Sequence, residues 1–122
     1  KALVQNYAVN RAIKVYQNSM YVVNEALSDD HYNLLCEKKG YQSRKILVKG
    51  DTGTGNIIKL YDNEVKSAID KSSITDLFIV HSIIIQEEDN KFELKGGKIK
   101  HLQNWKPNQD SLTPIQYNYT VP

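Results

Sequence analysis

The sequence predicts an α+β domain in which a long helix and a short helix pack on one face of an antiparallel sheet. Three observations carry this expectation. Apolar residues recur at helical spacing through Lys1–Leu27, strand-like segments crowd the chain from Ser43 onward, and the connections between those segments look too short for βαβ crossovers. The 122 residues make one domain, with a long helix over 1–27, a short helix within 28–40 and a β-rich region over 43–122.

Along the first segment, Val9, Ile13, Tyr16, Met20, Val23 and Leu27 recur at steps of three and four, and Ala12 and Ala26 widen the stripe. No Pro or Gly interrupts it, so a single rod of roughly 40 Å is expected, well beyond the length of an average helix. No capping residue precedes the pattern at Lys1, which suggests that the natural start of the helix has been cut away. Ser28, Asp29 and Asp30 then suit the start of a second helix over Asp29–Lys38, with Tyr32, Leu35 and Cys36 inward and Gly40 at its exit.

Ile46, Leu47 and Val48 form an apolar run of strand length within Ser43–Lys49. The turn residues Gly50–Gly55 follow, and Asn56–Tyr61 reads as the returning strand of a hairpin. Glu64–Ile69 fits either state. Asp76–Gln86 is apolar on both parities and is expected at the centre of the sheet, covered on both faces. Glu87–Asn90 is a turn, Lys91–Lys95 alternates as a half-exposed strand, and Gly96-Gly97 breaks the chain before Lys98–Leu102. Gln103–Pro114 is loop, and Ile115, Tyr117, Tyr119 and Val121 alternate as a last strand.

A net charge of +2, with basic residues spread along the chain, argues against a nucleic-acid partner. Lys38, Lys39, Arg44 and Lys45 read as a solvated surface. Cys36 is the only cysteine, so no intrachain disulfide forms, and the compartment stays open. Phe78–Ile85 is far short of a membrane span.

Few residues suggest chemistry. Gly50–Gly55 lacks the Lys-Ser/Thr pair of a P-loop and reads as a turn, with a mobile partner-contacting loop as the alternative. His31, His81, His101 and Cys36 lack the spacing of a metal motif, and Cys36 falls on the apolar side of its segment, where an inert thiol is expected. Asp29/Asp30 and Glu87/Glu88/Asp89 read as helix-start and turn chemistry rather than as acid/base pairs. Asn118-Tyr119-Thr120 satisfies the glycosylation pattern. Neither a catalytic set, a cofactor nor a small-molecule substrate is expected. Tyr7 and Tyr21 project off the main stripe of the first helix among Asn6, Asn10, Asn18 and Asn24. With Arg11 and Lys14 they make the candidate assembly surface.

The abruptly starting stretch Lys1–Tyr16, followed by a sheet from Ile46 onward, resembles a type IV pilin-like protein, a minor pilin or pseudopilin whose N-terminal half-helix has been removed. That resemblance implies a non-enzymatic subunit of a bacterial envelope filament or secretion machine. Its partners would be other protein subunits and, through the missing segment, the inner membrane; its place would be periplasmic or extracellular. The family's processing motif and paired cysteines are absent from this sequence. Tyr7–Tyr32 with Ser28-Asp29-Asp30 is also similar to the helical first half of the periplasmic nuclear-transport-factor-2-like domains of secretion components. An enzyme or binding protein of that fold implies a pocket with polar residues, for which His81, Asp76 and Tyr61 are the candidates. The two resemblances differ in geometry: the first requires a helix protruding past the sheet, the second a helix folded over a concave sheet beside an apolar cavity.

Overall fold

The computed structural model describes residues 2–27, 31–115 and 119–122. It is an α+β domain whose elements run α1 (Ala2–Asn18), β1 (Val22–Glu25), β2 (Leu34–Glu37), β3 (Arg44–Gly50), α2 (Asp62–Ile69), β4 (Ile74–Glu88) and β5 (Lys91–Leu102), closed by a single 3₁₀ turn at Gln109–Ser111. The five strands form one sheet in sequence order. All neighbours are antiparallel except β3 and β4, which are parallel.

The expected long helix ends at Asn18. Tyr21 N–H donates to the Tyr16 carbonyl and Met20 N–H to that of Gln17, both at 3.0 Å, while Met20 adopts φ 70°. This is a Schellman stop with methionine in the left-handed position usually given to glycine. Val23 continued the helical spacing by coincidence. It lies in β1, where β-branched Val22 and Val23 fit an extended backbone. The expected short helix is replaced by β2, in which Leu34 and Cys36 are buried with period two, and Asn33 just before it accepts from Val48 N–H. Ser28, Asp29 and Asp30, assigned to its start, lie outside the described residues.

Three further expectations are corrected. Asn56–Tyr61 forms no strand, and no hairpin follows β3. The chain instead crosses over through residues 51–73, carrying α2, and returns parallel to β3, because that stretch is long enough for the crossover that short connections seemed to forbid. The sheet is therefore mixed rather than antiparallel. The helices also take opposite faces. Ile46 and Val48 join the core beneath α1, while Lys45 and Lys49, of opposite parity in β3, reach Ser67 and Glu64 of α2.

Helix α1 packs flat on the sheet through Ala8, Ala12 and Tyr16, all buried. Small residues permit a close approach: a Cβ on Gly50 would stand 2.7 Å from the Val4 carbonyl oxygen. Gln5 binds the end of β3 through both amide atoms, donating to Val48 O at 2.8 Å and accepting from Gly50 N–H at 3.0 Å. No helix among the described residues is long and apolar enough to cross a membrane.

Strand β4 is covered on both faces along its first half, as its composition suggests. Phe78 and Val80 meet α1, whereas Leu77 and Ile79 join Leu47 beneath Ile58, Leu60 and Trp105. Gly96-Gly97 bends β5 without ending it. Ser82 (φ 57°) in β4 faces Gly97 (φ 96°) in β5, so both strands bend at one rung. Beyond the bend the ribbon exposes Ile84, Ile85 and Phe92 and closes through Asp89-Asn90, both at positive φ. No strand forms at the C-terminal end of the described chain, where Ile115, Tyr119 and Val121 are exposed. Tyr117 and the potential glycosylation residue Asn118 lie outside the described residues.

Candidate functional site

Two places in the fold gather chemistry, and they lie on opposite faces of the sheet. Beneath α1, Asp76 is fully enclosed at the start of β4. Its Oδ2 accepts from the Tyr16 hydroxyl at 2.5 Å, and its Oδ1 accepts from Arg44 Nη1 at 3.0 Å and from the Asn104 backbone N–H at 2.9 Å. Arg44 Nη1 also donates to Asn104 Oδ1 at 2.7 Å. A buried carboxylate is costly unless its lone pairs and charge are met, and three donors including a guanidinium do so here.

The proton positions follow from these contacts. The Tyr16 hydroxyl spends its one proton on Asp76, so His101 Nε2, 2.7 Å from the same oxygen, must carry the hydrogen and donate it. Burial, assisted by the Arg44 charge against the opposing pull of Asp76, lowers the His101 pKa and favours neutral imidazole. Burial and then Asp76 raise the Tyr16 pKa, keeping the phenol protonated. Burial, and then Asp76, push the Cys36 thiol up to about 12. The Tyr16 ring fills the space above Phe78, Tyr21 and His101, edge-on to Tyr21 and His101. With its carboxylate shut in, this cluster clamps α1, β3, β4 and β5 together, and only Arg44, His101 and the Arg44–Asn104 bond reach the surface.

The cluster also positions the other face. By donating to Asp76, Asn104 at φ 51° turns the chain, and Trp105 N–H then bonds Thr75 O at 2.8 Å. That turn carries the only tryptophan to the face opposite α1, against Leu47, Leu77 and Ile79. There, residues 55–60 and 105–115 bound an open groove of about 840 Å³. Leu77, Ile79 and Trp105 lie at its apolar base, and Ile57, Leu102, Leu112 and Ile115 line it further out. Lys59, Lys100 and Lys106 line it too, and among the described residues no acidic side chain is part of the lining, Asp110 in the outer wall included.

Polar contacts fix the walls. Lys100 Nζ donates to Asn56 Oδ1 and Thr54 O, and Lys106 Nζ donates to the Ala68 and Asp70 carbonyls at the end of α2. The α2 start is tied down as Tyr61 N–H donates to Glu64, itself paired with Lys49. Between these anchors, the backbone N–H and C=O groups of Ile57, Ile58, Lys59 and Leu60 make no backbone hydrogen bond among the described residues.

The residues singled out from sequence are scattered. Tyr7 and Arg11 both donate to the Gly96 carbonyl, at 2.7 and 2.8 Å, and so stitch α1 to β5. Lys14 is exposed on α1, and Tyr21 packs against Tyr16 under the Lys38 ammonium. Of the pocket candidates, Asp76 is in the clamp, His81 bonds Ser82 Oγ through Nδ1, and Tyr61 precedes α2. The glycine-rich loop is closed around its own anion: Asp51 accepts from Gly53 and Gly55 N–H, the groups that would face a phosphate in a cradle. No group of three metal-ligating side chains exists among the described residues.

The clamp draws Tyr16, Arg44 and the neighbouring pair His101 and Asn104 from three distant parts of the chain, and no local motif announces them. The groove was equally hidden, because its walls are irregular. No protein-family model, no curated protein and no solved structure matches the chain.

Proposed function

We propose that the protein is a non-enzymatic binding domain that holds part of another protein in the groove opposite α1. The observation that carries this reading is the groove itself: an apolar base formed by Leu77, Ile79 and Trp105, open to solvent, within the size range of pockets that take ligands. The only enclosed cluster of titratable groups described above is occupied by its own contacts. The reading retains the sequence-based expectation of an assembly subunit and moves its docking surface from α1 to the far side of the sheet. Its partners are then other subunits of a cell-envelope assembly, the setting implied by the pilin-like resemblance. The over-long helix no longer supports that setting, since α1 ends at Asn18.

Anilinonaphthalenesulfonate, an apolar dye with one anionic group, tests whether the groove binds. We expect saturable binding at one site with energy transfer from Trp105, lost in Ile57→Asp and Leu112→Asp proteins of unchanged far-ultraviolet circular dichroism. Absence of a saturable site, or a site indifferent to both substitutions, would contradict the reading.

A further inference from the structure

Three features specify what the groove accepts. Its charged lining is entirely cationic, from Lys59, Lys100 and Lys106. No carboxylate among the described residues lies within ion-pair distance of any of the three. The first two use neutral acceptors or none: Lys100 holds Thr54 and Asn56 oxygens, and the Lys59 ammonium makes no hydrogen bond or ion pair among the described residues. Lys106 faces the carbonyl end of α2. The lining thus carries positive charge that no described carboxylate contacts, with Asp70 acting on Lys106 only from beyond ion-pair distance, and its natural complement is negative.

The second feature is the apolar base, which demands hydrophobic side chains on the ligand as well as charge. The third is the wall. Ile57–Leu60 presents successive backbone donors and acceptors that no backbone group of the described chain uses, and Ile57 is 89% exposed. Backbone groups of this kind are met by water or by another main chain. A fatty-acyl anion satisfies the first two features and leaves the third unused. A peptide in extended form satisfies all three, since its alternate side chains point to opposite sides while its amides pair with an exposed backbone.

We infer that the groove binds an extended acidic peptide segment, with apolar residues on the Leu77–Ile79–Trp105 base and intervening carboxylates toward Lys59, Lys100 and Lys106. The segment adds main-chain hydrogen bonds to Ile57–Leu60. This rests on the proposed binding role of the groove and names the chemistry of its occupant.

The test uses Trp105 fluorescence and four probes: a terminally blocked octapeptide alternating Leu and Glu, its Leu-Lys counterpart, the Leu-Glu peptide N-methylated at alternate amides, and dodecanoate below its micelle concentration. The Leu-Glu peptide is expected to saturate a single site. Its Leu-Lys and N-methylated forms should bind about tenfold more weakly or worse, and Lys59→Glu, at an exposed position, should weaken the Leu-Glu peptide to a similar degree. Equal binding of the Leu-Lys peptide overturns the charge assignment, and equal binding of the methylated peptide overturns the main-chain pairing. If dodecanoate saturates the site and the Leu-Glu peptide does not, the peptide inference falls while the groove still binds. If neither binds and the sulfonate dye also fails, the binding role falls with it.

Discussion

The Tyr16 hydroxyl donates to Asp76 Oδ2 across 2.5 Å, joining α1 to the start of β4 through a carboxylate that water does not reach. Tyr16→Phe keeps the ring and removes the proton, leaving Oδ2 and His101 Nε2 without their shared partner. A buried group left in that state costs about 1–3 kcal/mol. The urea midpoint of Tyr16→Phe should fall accordingly, with α1 amides losing the most hydrogen-exchange protection. An unchanged midpoint would show that the clamp contributes nothing.

His101 makes the same cluster sensitive to pH. Its folded pKa is lowered, first by burial, so the folded chain binds the proton less readily than the unfolded chain, whose imidazole titrates near about 6.5. The contribution of neutral His101 is complete above that value and is lost as pH falls through the folded pKa, because there the unfolded state holds more protons. Stability measured by urea should therefore drop as pH falls below about 6.5, before the main carboxylate range is reached. His101→Gln should flatten that slope, whatever it does to the absolute midpoint.

Thr75 Oγ1 is buried without a hydrogen-bond partner among the described residues, one position from Asp76. Thr75→Val keeps the branched shape that suits a strand and removes the unsatisfied hydroxyl. A gain of about 1 kcal/mol is expected, against the usual loss for a buried substitution. Loss of stability on making Thr75→Val would mean that the hydroxyl is satisfied in solution.

Gly97 faces Ser82 at the shared bend of β4 and β5 and sits at φ 96°. A Cβ there would come within 2.9 Å of Val80 Cγ1 and 3.3 Å of Ile83 Cγ1. Gly97→Ala should cost at least about 1–2 kcal/mol from backbone handedness alone, before the contact is counted. Thermal unfolding is the readout, and a neutral substitution would argue against the bend.

The legible parts of this fold were those governed by composition over a short window. β3 and β4 are apolar runs too dense to be anything else, and the first four turns of α1 carry a true helical stripe. Met20 was illegible because its left-handed turn lacks the glycine that normally signals a stop. Val22 and Val23 fit a helix by spacing and a strand by branching, and tertiary packing decided between them. The parallel pairing of β3 and β4 depends on where residues 51–73 travel, which hydrophobic period does not encode. The functional face was hidden for a related reason: Trp105 reaches it only because Asn104 bonds Asp76, a residue 28 positions away.

The most direct measurement is a map of amide chemical-shift changes as the Leu-Glu octapeptide is titrated into the protein. Shifts should concentrate at Gly55–Leu60, Leu77, Ile79 and Leu102–Ile115, with the Trp105 indole among the largest, while Tyr7, Arg11, Lys14 and Tyr21 stay still. A map centred instead on the outer surface of α1 would place binding on the wrong side of the sheet and contradict the groove as the working surface.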